Sequence, residues 1–150
     1  MFITNTTIRD NAVSAVVVTA PTGAPRISVA IDHVRLEGNG QGISVANGAL
    51  VTISNSVISG NGSFGIVAQT PAGSSANTEV NVETCVITQN AVGVAVQTGS
   101  PVVRLSNTNI SNNSVGISLT SGIVESFSNN RITANGSGNT PSPGATIPLR

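Results

Sequence analysis

Val51-Thr52-Ile53-Ser54-Asn55-Ser56-Val57-Ile58-Ser59-Gly60-Asn61-Gly62-Ser63-Phe64-Gly65-Ile66-Val67 is the clearest copy of a unit that recurs six times in the 150 residues of the chain. It contains three short runs, Val51–Ser54, Val57–Ser59 and Gly65–Ala68. Within them apolar and polar residues alternate, a period of two that argues strand rather than helix. The residues between the runs are Asn, Gly and Ser, which form turns.

Working outward, the unit is anchored on an aliphatic residue followed three positions later by Asn. The pairs are Ile8/Asn11, Leu36/Asn39, Ile58/Asn61, Ile87/Asn90, Ile110/Asn113 and Ile132/Asn135. Successive anchors lie 28, 22, 29, 23 and 22 residues apart, a base period near 22 with two long excursions. Five before each anchor stand Ile3, Ile31, Ile53, Val82, Leu105 and Phe127. Three before it stand Asn5, His33, Asn55, Thr84, Asn107 and Asn129. One such unit cannot bury its own apolar residues, but stacked units can. The expected fold is therefore all-β: a parallel β-solenoid of about six coils, three short strands each, roughly 29 Å long at ~4.8 Å per coil. An Asn recurring at one turn suits both a left-handed backbone and an amide ladder between coils. Asn11, Asn39, Asn61, Asn90, Asn113 and Asn135 are read as that structural ladder.

The pattern Val-Thr-Ile-Ser-Asn-Ser-Val-Ile-Ser-Gly-Asn-Gly-Ser-Phe-Gly-Ile (residues 51–66) resembles the repeats of right-handed parallel β-helix proteins, the pectate-lyase-like superfamily. The resemblance covers residues 3–135 and implies the right-handed sense. It implies no single activity, since that group holds polysaccharide lyases and hydrolases, epimerases, phage tailspikes and proteins without assigned chemistry.

Composition narrows the partners. Formal net charge is zero, only 8% of residues are charged and no basic cluster exists, so nucleic acid has no electrostatic footprint to bind. Aromatics make up 2%, three Phe without Trp or Tyr, which removes most stacking platforms. The single cysteine, Cys85, forms no internal disulfide and belongs to no metal-binding spacing. No cofactor or metal is expected. No apolar run approaches the ~20 residues of a membrane span, and the first ten residues do not read as a signal peptide. The Ser/Thr/Asn/Gly-rich composition suits an exported solenoid, secreted or at the cell surface as part of a longer bacterial protein.

Residues 1–135 are read as one β-helix domain and 136–150 as a Pro/Gly-rich tail that leaves the coil. Ile147 and Leu149 in that tail either fold back over the open end or remain unstructured. At the other end Ile3 already holds a core position. The reading favoured is a segment of a longer solenoid; the alternative is another chain covering the face, including end-to-end self-association. Two loops, 19–26 and 69–79, leave after a third strand and rejoin at the next first strand, so both emerge on one edge. In coil six Glu125 falls where Val is expected. Either Val124 turns inward through a local bulge, or the stack is open there.

The few charges can be placed individually. Asp32, Ser54 and Glu83 fall in one outward row of the first strands, and Arg104 lies one coil beyond Glu83. These are the catalytic candidates. Carboxylates two coils apart are about 10 Å from each other by the coil rise, at the edge of the roughly 6.5–9.5 Å used by inverting glycosidases. The resemblance alternatively suggests Ca²⁺-assisted elimination on uronates, for which this face lacks a converging acidic cluster. The plain alternative is solvated surface charge, with Glu83–Arg104 a diagonal pair of little energetic value. His33, replacing Asn at a turn, and Phe64, at a turn near the second loop, are candidate ligand-binding residues. Arg9 and Glu37 are expected to pair across coils, and Cys85 to be an inert small residue. The reading is a non-catalytic structural or binding module, with extracellular or surface glycan as ligand. A polysaccharide-active enzyme, or a catalytically incomplete fragment of one, is the alternative.

Overall fold

The computed structural model describes residues 1–74, 76–140 and, for the backbone alone, 146–147. Among the described residues every regular element is a β-strand; each of the first five coils feeds three parallel sheets, and the sixth feeds two of them. Sheet A takes the first strands: β1 (Phe2–Thr4), β4 (Ser28–Asp32), β7 (Leu50–Ser54), β10 (Glu79–Glu83), β13 (Val102–Ser106) and β16 (Ile123–Phe127). Sheet B takes β2 (Thr7–Arg9), β5 (Arg35–Glu37), β8 (Val57–Ser59), β11 (Val86–Thr88), β14 (Asn109–Ser111) and β17 (Arg131–Thr133). Sheet C takes β3 (Ser14–Thr19), β6 (Gln41–Ala46), β9 (Phe64–Gln69), β12 (Val92–Gln97) and β15 (Val115–Leu119). A last strand, β18 (Thr146–Ile147), pairs with β16. Thr19, Gln69 and Glu79, expected in the two long loops, are strand residues.

The anchors align as the repeat requires: Ile8 faces Leu36, Leu36 faces Ile58, Ile58 faces Ile87, Ile87 faces Ile110 and Ile110 faces Ile132. Leu36, Ile58, Ile87 and Ile110 are completely buried, whereas Ile8 and Ile132 in the outer coils are only half-buried. Burying one such side chain stabilises by about 1.5–3 kcal/mol, so the core is strongest at mid-stack. In sheet C, Gly42, Gly65, Gly93 and Gly116 form an axial column. A Cβ at Gly65, Gly93 or Gly116 would lie 2.5–2.7 Å from a carbonyl of the next coil. Close backbone approach explains the small residue at the second position of the third strands.

The turns explain the Asn columns, with one correction. The sheet A to B corner is a single left-handed residue: Asn5, His33, Asn55, Thr84 and Asn107 have φ between 46° and 54°. At the sheet B to C corner the left-handed residue is the one before the ladder Asn: Asp10, Gly38, Gly60, Gln89, Asn112 and Ala134. Tolerance of a left-handed backbone is therefore not why the ladder position is Asn. The amide is. Nδ2 of Asn61 donates to Oδ1 of Asn90 at 2.8 Å, and the Asn61 N–H donates to the same oxygen at 3.0 Å. The same double bond links Asn11 to Asn39, Asn39 to Asn61, Asn90 to Asn113 and Asn113 to Asn135. Asn39, Asn61, Asn90, Asn113 and Asn135 are buried, so these bonds satisfy polar groups that water cannot reach.

Coil six carries an extra residue. Val124 aligns with Val103 and is fully buried, Glu125 aligns with Arg104 and Ser126 with Leu105. The bases of sheet B are again in step, with Arg131 opposite Asn109. The slip is absorbed between Phe127 and Asn130. Phe127 therefore does not take the core row expected for it; Ser126 does, and Phe127 is half-buried. Past Asn135 the Pro/Gly-rich segment, expected to leave the coil, first follows its third side. The N–H groups of Gly116 and Ile117 donate to the carbonyls of Ser137 and Gly138. Thr146–Ile147 then runs parallel to Ser126–Phe127. Leu149 lies outside the described residues.

Candidate functional site

The strands of sheet A carry their outward side chains in three rows. Register places Asp32 against Ser54, Ser54 against Glu83 and Glu83 against Ser106. Thr52, Asn81, Arg104 and Glu125 form the next row. Glu79 heads its strand two residues before Asn81. The first row thus contains Asp32 and Glu83 with one serine between them.

Asp32 is engaged on all sides. Its Oδ1 accepts from Ser54 Oγ at 2.7 Å and from Asn55 Nδ2 at 2.9 Å, and its Oδ2 meets Nδ1 of His33 at 2.7 Å. The bond from Asn55, then those from Ser54 and His33, hold the carboxyl well below its ordinary 3.8, at about 2. An ionised Asp32 accepts only, so Nδ1 of His33 is the donor in this bond. His33 is 59% exposed. Its left-handed φ of 53° belongs to the corner, so the ring is presented by turn geometry and fixed by Asp32.

Glu83 is exposed and accepts from its neighbour Thr84 Oγ1 at 3.2 Å. It does not pair with Arg104, contrary to the diagonal expected. Arg104 lies between two other carboxylates: Nη1 is 2.7 Å from Glu79 Oε2, and Nε is 2.6 Å from Glu125 Oε2. Glu79 also takes Arg26 Nη2 at 2.8 Å. Arg104, then Arg26, lowers the Glu79 pKa, and Glu79 in turn raises that of Arg104. Arg26 is the last loop residue but one before β4, and its Nη2 also donates to the carbonyl of Asn77 in the second loop. The same-edge loops are therefore bonded together. Alternating charges, Arg26–Glu79–Arg104–Glu125, close the upper side of sheet A. By sequence Glu79 and Arg26 fall within the loops at residues 69–79 and 19–26, so neither reads as part of the outward face. Carrying the period-two alternation of β10 back one more step from Asn81 would have placed Glu79 on the outward face.

The other candidates do not converge here. Phe64 opens β9, half-buried and paired with Gln41 and Val92 in sheet C. The second loop leaves from the opposite end of that strand. Arg9 and Glu37 are in register but do not pair: Glu37 bonds Arg35 within its own strand, and Arg9 is 3.6 Å from Asp10. Cys85 is buried, and burial pushes its thiol up to about 11, leaving it protonated and unreactive.

Among the described residues no three His, Cys, Asp or Glu side chains cluster as metal ligands. No helix among them is long and apolar enough to cross a membrane. The arrangement offers one oriented His–Asp pair, one separate carboxylate and a polar face bordered by two tied loops.

Comparison with curated proteins and with solved structures gives no match. A family model described as a right-handed beta helix region matches residues 26–147, which cover β4 through β18 and all but the first coil. Three parallel sheets, the in-register anchors and the buried Asn ladder agree with that match and with the pectate-lyase-like superfamily, and the chain belongs to the right-handed β-helix family.

Proposed function

We propose that this β-helix is a non-catalytic structural or binding module whose outward sheet A face takes an extracellular or surface glycan. The observation that carries this reading is the engagement of the candidate catalytic charges. Asp32 accepts from three neighbours, and Arg104 bridges two carboxylates. A general acid needs a raised pKa, whereas Asp32 is held at about 2. Beside these charges the face carries uncharged hydrogen-bonding groups in register: Thr52, Asn81 and Ser106. Such groups suit the hydroxyls of an extended polysaccharide.

A polysaccharide-active enzyme, or an incomplete fragment of one, is the second reading. The oriented His33–Asp32 pair, with Glu83 in the Asp32 row, favours it. The two separate on two measurements. A glycan array probed with the purified chain is expected to give hits that Asn81→Ala weakens; an array without hits removes the carbohydrate ligand and leaves a purely structural role. Assays for new reducing ends and for unsaturated uronate are expected to show no turnover. Turnover that disappears in Asp32→Asn and Glu83→Gln would replace the binding module with the enzyme.

A further inference from the structure

The chain carries six acidic and six basic side chains, and their formal charges cancel. Their placement does not. Arg9 meets Asp10, and Arg35 meets Glu37 on sheet B. On sheet A, Arg26, Glu79, Arg104 and Glu125 alternate as two positive and two negative groups. Among the described residues this leaves Asp32, Glu83 and Arg131 without a guanidinium or carboxylate partner. Both acids stand in one outward row of sheet A, Asp32–Ser54–Glu83–Ser106. Arg131 belongs to sheet B, opposite Asn109. The sheet A face therefore holds four carboxylates against two guanidiniums. With His33 neutral the surplus is two negative charges; with it protonated, one remains, on Glu83.

The two acids contribute differently. Glu83 is exposed, and its bond is from the Thr84 hydroxyl at 3.2 Å, so it can meet a ligand without breaking an ion pair. Asp32 has its oxygens taken by Ser54, Asn55 and His33. Two coils and about 10 Å from Glu83, it adds to the field without being free to bond. Its carboxyl is held at about 2, so that charge is present wherever an amine is protonated. The guanidiniums offer an acidic sugar no equivalent. Arg26 is held by Glu79 and the Asn77 carbonyl, and Arg104 by Glu79 and Glu125. A uronate would have to displace a carboxylate already in place. At Arg104 it would also arrive about 8 Å from Glu83 by strand and coil spacing, within the roughly 10 Å over which charges act at 0.1 M salt.

We propose that the sheet A face selects glycans bearing free amino groups, polymers of the glucosamine type, and rejects uronate polymers, with Glu83 receiving the ammonium group. This rests on the reading of sheet A as a glycan face and names the class of glycan. Thr52, Asn81 and Ser106 can bond the hydroxyls of any sugar, so they do not discriminate. Charge does. An ammonium donating to a carboxylate makes a charge-assisted hydrogen bond, whereas a second carboxylate in the same place finds no donor and is repelled.

Calorimetric titration of the 150-residue chain with three hexasaccharides tests it: glucosamine, N-acetylglucosamine and galacturonate. The glucosamine hexamer is expected to bind most tightly and to weaken as salt is raised to about 0.5 M, where exposed charges are screened. The N-acetylglucosamine hexamer should bind more weakly at low salt and respond little to salt, and the galacturonate hexamer should not bind. Glu83→Gln is expected to cost the glucosamine hexamer about two- to fivefold in affinity, the worth of one exposed ion pair, and to leave the N-acetylated hexamer unchanged. Galacturonate binding as tightly as glucosamine, or a glucosamine affinity that Glu83→Gln does not alter, overturns the selectivity and leaves a glycan face in place. Polylysine of six residues binding as tightly as the glucosamine hexamer makes the face a general cation surface and overturns the glycan class. Silence of all three hexamers, with a glycan array also without hits, removes the glycan reading and the selectivity with it.

Discussion

Thr84 holds φ at 54° at a corner where coils one, three and five carry Asn. A left-handed backbone costs a β-branched residue roughly 1–2 kcal/mol, and Asn less because its short amide bonds locally. Thr84→Asn is expected to stabilise by about 1 kcal/mol and raise Tm by about 2–4 °C for a chain of this size. Calorimetry reading no gain would mean that the Thr84 Oγ1 bond from Asn107 Nδ2 outweighs the strain. Asp32 illustrates the electrostatic side of the same corner. Its folded pKa is depressed, so its contribution is present above the unfolded value near 4 and is lost as pH falls from about 4 through about 2. A carboxyl-carbon NMR titration should place its midpoint near 2 and a Ser54→Ala, Asn55→Ala chain nearer 4; a midpoint near 4 in the unaltered chain would remove the three-bond account. These single-residue effects were only partly legible in the sequence. The ladder Asn column repeats as a letter, so it can be seen. The preceding left-handed column reads Asp, Gly, Gly, Gln, Asn, Ala, because what repeats there is a backbone angle. The partner of Arg104 was illegible for a different reason. Its long side chain reaches several carboxylates of nearby coils, and only coordinates tell Glu79 and Glu125 from Glu83.

At the scale of elements, the ladder and the loop tie differ in what their loss should do. Asn61 accepts two bonds from Asn39 and donates its N–H and Nδ2 to Asn90, all out of contact with water. Asn61→Ala strands the Asn39 N–H, while Asn39 Nδ2 keeps the Ile8 and Glu37 carbonyls; one orphaned buried donor costs about 1–3 kcal/mol, and a loss of that size is expected in denaturant unfolding. Asn11→Ala removes a rung that only donates and sits in solvent, and its cost should be under about 1 kcal/mol. Equal costs at the two positions would show that the ladder is not a burial effect. Glu79 joins Arg26 to Arg104 and thereby holds the first loop over the second. These groups are partly exposed, and exposed pairs contribute little to global stability. Glu79→Ala is therefore expected to leave Tm nearly unchanged while speeding protease cleavage within residues 20–27. Both loops could be located from Pro and Gly and from the stretched spacing. Their tie could not, since it depends on one guanidinium spanning two coils.

In the whole molecule the strands of each coil pair only with those of the coils beside it, so stability is mainly a sum of neighbouring interfaces and position along the stack decides what a lesion does. Ile58 and Ile8 occupy one column of sheet B and differ in surroundings: Ile58 is fully buried between Leu36 and Ile87, whereas Ile8 has a coil on one side only. A carboxylate at position 58 has no partner and no access to water, a penalty of several kcal/mol against a total stability of about 5–15 kcal/mol. It also lies where failure separates coils one and two from four to six, leaving neither part with enough stacked coils. Ile58→Asp is expected to abolish cooperative unfolding and the β-sheet circular dichroism. At position 8 the same side chain can reach solvent if coil one frays, and only one interface is lost. Ile8→Asp should therefore fold, with a lower Tm and with amide exchange accelerated in residues 1–19 but not beyond coil two. A folded Ile58→Asp chain would break the register of sheet B, while an Ile8→Asp chain that loses all structure would show that coil one nucleates the stack and that the coils do not contribute independently.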